Sequence, residues 1–136
     1  VTVADLLPQP SVRQRAVQRW ACDLGAAASV ACMAWQADWS GLKAWAGFAA
    51  FALWVASPFL ALRLVGRWLR RCFPVLTGLT VLGALLVPAA YWTSFLPGRI
   101  TSTSALVFVA LPAAQWVAQS LGLGVGYGLC RLVART

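Results

Sequence analysis

The chain has 136 residues, 61% of them apolar and only 10% charged, with a net charge of +8. A soluble domain of this size carries far more polar surface, so the composition excludes an ordinary globule and fits one membrane-embedded domain. The charge is not a nucleic-acid footprint, because the basic residues hug the ends of apolar runs and form no separate hydrophilic face.

Nine of the eleven Lys and Arg residues fall in three clusters: Arg13, Arg15 and Arg19; Arg63, Arg67, Arg70 and Arg71; Arg131 and Arg135. Only Lys43 and Arg99 fall at the intervening turns. Cytoplasmic loops keep Lys and Arg and translocated loops shed them. The pattern predicts an all-α integral membrane protein with four transmembrane helices, an up-down-up-down bundle with both termini cytoplasmic.

Residues 1–11, with Pro8 and Pro10, read as a cytoplasmic tail. Asp23 interrupts any signal-peptide core, so no cleavable leader is expected. Ser11 and Gln14 have capping-box spacing, which starts a helix near Val12 that runs into the first span, about 20–36. This span is Ala-rich and weakly apolar. Ala21, Gly25 and Ser29 recur every four residues, which suits a helix packed among others. Asp23 is the one acid inside a span, four residues from Arg19, so a helical i,i+4 ion pair at the inner headgroup level is expected.

Residues 38–41 (Asp-Trp-Ser-Gly) form a turn, and the second span follows at about 42–62 with Pro58 near its end. Arg63, Arg67, Arg70 and Arg71 share one helical face, which predicts an amphipathic basic helix lying between spans 2 and 3, its guanidinium groups on anionic lipid headgroups. Pro74 suits the first turn of the third span, about 75–96, which contains Pro88. Pro97-Gly98 marks a turn, and residues 101–104 offer N-caps for the fourth span, about 105–130.

The fourth span carries small residues every four positions: Ala110, Ala114, Ala118, Gly122, Gly126 and Cys130, beside a second stripe of Ser120, Gly124 and Gly128. Small residues let helix backbones approach closely in lipid, so this stripe is expected to pack on the Ala-rich first span. Gln115 and Gln119 sit one turn apart next to it, and an amide in hydrocarbon needs a partner. A clamp onto a carbonyl freed by a proline is expected; a polar solute path is the sharper alternative. Trp54 and Trp116, away from the interface belts, fill gaps between helices or point at a partner.

Four cysteines without CxxC spacing, three of them close to the cytoplasmic side, imply reduced thiols and no disulfide framework. With no histidine, no carboxylate pair and no nucleophile–base set, neither catalysis nor a metal or other cofactor is expected. The reading is a non-catalytic inner-membrane protein, an accessory or partner-binding subunit of a membrane complex or a homo-oligomer. The alternatives are a small-solute transporter or channel and a membrane-resident immunity or exclusion protein.

Overall fold

The computed structural model describes residues 9–36, 40–68, 72–96 and 106–133, with the backbone alone at Trp68. Four helices run in order: α1 Val12–Gln36, α2 Leu42–Trp68, α3 Phe73–Ser94 and α4 Val107–Val133. Among the described residues there are no strands. Three helices are long and apolar enough to cross a membrane: Leu42–Arg67, Phe73–Ser94 and Val107–Val133, with mean hydropathies of 1.8, 1.9 and 1.3. The protein is therefore of the multi-pass membrane type. α1 falls outside that set. Asp38, Trp39, Arg70, Arg71, Pro97-Gly98, Arg99, residues 101–104, Arg135 and most of the N-terminal tail lie outside the described residues.

α1 begins where the capping spacing places it. The Ser11 amide donates to Gln14 Oε1 at 3.0 Å, and the Gln14 amide donates back to Ser11 Oγ at 3.1 Å. Gly41, at φ 92°, opens α2 in a conformation that a side chain would strain. At the start of α3, Cys72 takes the left-handed conformation at φ 59°, and Pro74 occupies the first turn.

α2 and α3 touch each other little and are bridged by the other two helices. α1 packs on both, and so does α4. One core cluster joins Met33, Val55, Phe59, Val87, Tyr91 and Phe108. The Phe108 ring stacks between Tyr91 and Phe95, with centroid distances of 4.9 and 5.1 Å. A second cluster, Cys22, Leu62, Phe73 and Leu76, closes the end where the arginines gather. The buried serine and threonine hydroxyls are satisfied within their own helices: Ser29 Oγ donates to the Gly25 carbonyl at 2.7 Å, and Thr80 Oγ1 to the Leu76 carbonyl at 2.8 Å.

The helix continues through the arginines as expected: residues 63–68 extend α2, and Arg63 and Arg67 belong to its last two turns. Two sequence expectations change. The Cys72 and Cys130 side chains meet, their Cα atoms 6.2 Å apart, where separate thiols were expected. The cause is the close approach of α4 to the start of α3: Gly126, one turn before Cys130, lets Val75 sit against the α4 backbone. Finally, α4 packs mainly on α2 and α3, with little contact to the first helix.

That last change has a geometric origin. At 3.6 residues per turn, each four-residue step advances about 40°, so the five steps from Ala110 to Cys130 rotate by about 200°. The stripe winds halfway round α4. Its first half, Ala110, Ala114 and Ala118, is exposed, while Gly122 and Gly126 turn inward. A Cβ built on Gly122 would meet Leu79 at 2.9 Å, and one on Gly126 would meet Val75 at 2.5 Å. Both neighbours belong to α3.

Candidate functional site

Three places hold polar chemistry. The first is the basic end, where the start of α1, the end of α2 and the start of α3 enclose a cavity of about 360 Å³. Its lining includes Arg15, Gln18 and Arg19 from α1, Arg63, Gly66 and Arg67 from α2, and Phe73. Gln18 is 2% exposed and holds the two helices together: its Nε2 donates to the Leu62 carbonyl at 3.0 Å and lies 3.5 Å from Cys22 Sγ. A Cβ on Gly66 would come within 3.0 Å of that amide, so Gly66 is the notch that admits Gln18.

Asp23 pairs with Arg63 across the α1–α2 seam, not with Arg19 as the i,i+4 spacing suggests. The reason is local. Arg19 turns back and donates from Nε to the Arg15 carbonyl at 3.4 Å, while the Gln18–Leu62 bond brings the neighbouring Arg63 alongside Asp23. Both members of the pair are partly exposed, with 39% and 45% of their side-chain surface accessible, so the pair orients the helices more than it stabilises them.

The second place is the middle of α4. Gln115 and Gln119 are 8% and 6% exposed, and none of their four side-chain polar atoms has a hydrogen-bond partner. The expected clamp onto a proline-freed carbonyl is absent. Gly83 of α3 faces them, its Cβ position 3.4 Å from Gln115 Nε2 and 3.9 Å from Gln119 Nε2. The Tyr91 hydroxyl is also buried without a partner. Pro58 frees the Trp54 carbonyl, and Ser57 Oγ takes it at 2.7 Å. Ser57 Oγ in turn accepts from Trp116 Nε1 at 3.0 Å, while Trp54 Nε1 donates to the Val109 carbonyl at 3.4 Å. The two mid-helix indoles thus stitch α2 to α4.

The third place is the opposite end, where Cys32, Trp35, Gln36, Tyr91, Trp92, Phe95 and Leu96 line an aromatic cavity of about 280 Å³. Of the small residues singled out from sequence, Gly25 and Ser29 are buried, Gly122 and Gly126 face α3, and Ala114 and Ala118 face outward. Sequence reasoning missed Gln18 and Gly66. The signal for Gln18 was present: Gln18, Cys22, Gly25, Ser29 and Met33 recur at mixed three- and four-residue steps, which hold one face of a helix. No family model, curated protein or solved structure matches the chain.

Proposed function

We propose that the chain is a non-catalytic inner-membrane protein that acts as a partner-binding subunit of a membrane assembly. One observation carries this reading. α4, a membrane-capable helix, turns Ala110, Ala114 and Ala118 outward, and Gly124 and Gly128 have open space where a side chain would stand. Small residues on an outward face of a membrane helix permit the close backbone approach of another helix, where packing replaces the absent hydrophobic drive.

In this reading α1 is a fourth span, carried across by its contacts with α2 and α3 despite its weak hydropathy, and the bundle runs up-down-up-down. The arginine-rich end faces the cytoplasm with both termini. Purification from its own membrane in mild detergent tests the proposal. A stoichiometric companion chain, or a defined homo-oligomer, supports it; a monodisperse monomer in native lipid overturns it.

A second reading, a pathway for a small polar solute, draws on the unpaired amides of Gln115 and Gln119. Solute flux in proteoliposomes that is abolished by Gln115→Leu would favour it over the first.

A further inference from the structure

The cavity at the basic end is an unusual place to concentrate charge. Arg15, Arg19, Arg63 and Arg67 all line it, contributed by two different helices. Among the described residues one carboxylate, Asp23, answers them, and it is committed to Arg63. Four guanidinium groups less one carboxylate leave three uncompensated positive charges around one half-open cavity. Like charges gathered in a partly enclosed space repel and raise the local positive potential, unless an anion shares the space.

The cavity has the dimensions of a site and not of a packing flaw. Its volume of about 360 Å³ lies within the range of small-molecule pockets, about 300–1,000 Å³. The α1–α2 seam behind it is fixed, while Arg15, Arg19 and Arg67 are exposed at its rim. The Gln18 amide ties α1 to the α2 backbone, Asp23 bridges to Arg63, and Phe73, 2% exposed, belongs to the core cluster at this end. Phe73 is also the first residue of α3, whose N-terminus has no side-chain cap hydrogen bond, so the positive end of that helix adds to the field there. Arg15 and Arg67 have no ion-pair partner among the described residues.

We infer that this cavity binds an anionic phosphate group, gripped by Arg15 and Arg67 with Arg19 and Arg63 closing the shell. Guanidinium groups suit phosphate because their planar fork gives paired, charge-assisted hydrogen bonds to two oxygens. Two sources share this chemistry. One is the headgroup of an anionic lipid, since basic pockets between membrane helices take such headgroups. The other is a free phosphate. The inference stands independently of what α4 contacts.

Native mass spectrometry of the full chain in detergent separates the sources. The protein is titrated with phosphatidylglycerol, with phosphatidylcholine, and with inorganic phosphate. Two double variants remove equal charge: Arg15→Gln/Arg67→Gln inside the cavity, and Arg13→Gln/Arg131→Gln outside it. A one-to-one complex that weakens roughly tenfold or more in the first variant and little in the second is expected. Selectivity for phosphatidylglycerol without competition from inorganic phosphate assigns a lipid headgroup; binding or competition by inorganic phosphate assigns a free phosphate. Arg15→Lys/Arg67→Lys keeps the charge and should bind weakly while retaining the wild-type unfolding midpoint, which separates lost recognition from lost fold. No complex with either anion, equal loss in both Gln variants, or equal affinity for phosphatidylcholine overturns the inference.

Discussion

Gly25 and Ser29 of α1 turn inward, and the Phe59 ring of α2 presses on Gly25, whereas Ala110, Ala114 and Ala118 of α4 stand exposed. Both helices carry small residues at four-residue spacing. In α1 the spacing is brief and embedded in a mixed three-and-four pattern, so it stays on the face that meets α2 and α3. In α4 it persists for five steps and winds away from the bundle. The polar residues follow the same division. Gln18 of α1 finds the Leu62 carbonyl, and Asp23 finds Arg63, while Gln115 and Gln119 of α4 find nothing. The unpaired amides of Gln115 and Gln119 are buried against Gly83 of α3, away from the exposed Ala114 and Ala118, so the face that could meet a partner is defined by its small residues and not by these amides.

The largest effect should come from Gly25→Leu. A Cβ there would lie 2.5 Å from Phe59 Cε1, on a ring that is fully buried, so overpacking should cost about 3 kcal/mol or more. A lowered unfolding midpoint in detergent, partly restored by adding Phe59→Leu, is the expected result. Gly126→Leu should cost about 1–3 kcal/mol by driving α4 away from Val75, and the same assay reads it. If Gly25→Leu proves harmless, the inward face of α1 is misassigned and the contrast with α4 collapses.

The contrast was only half legible in the residues. The helix ends, the capping box and the membrane character followed from local rules that the sequence prints directly: Ser11 with Gln14, Pro74, and long apolar runs. Which face each helix buries did not follow. Four-residue spacing marks a winding line, and its position depends on which stretch a neighbour covers. The partner of Asp23 was hidden for a related reason, because Arg63 lies forty residues away and only the Gln18–Leu62 bond brings it near. Gln18 itself was not singled out, since its carbonyl partner leaves no trace in sequence.

Replacing both α4 amides sharpens the comparison. Gln115→Leu/Gln119→Leu removes buried polar groups that have no partner within the chain, so the isolated protein should be unchanged or stabilised by about 1–2 kcal/mol. A loss of stability would mean that these amides are satisfied in the folded monomer. At the other end, Asp23→Asn should cost about 1 kcal/mol or less, because the pair with Arg63 is partly exposed. A much larger drop would place the α1–α2 seam in a drier setting than its accessibility indicates.

The most direct test uses Ala114→Leu/Ala118→Leu. Both positions are exposed, so the unfolding midpoint of the isolated chain should not move. Its mass in native-lipid nanodiscs should fall from that of the assembly to that of a single chain, because two bulky side chains hold the second helix away. An assembly of unchanged mass, with the fold intact, would contradict the assignment of the outward face of α4 to a partner.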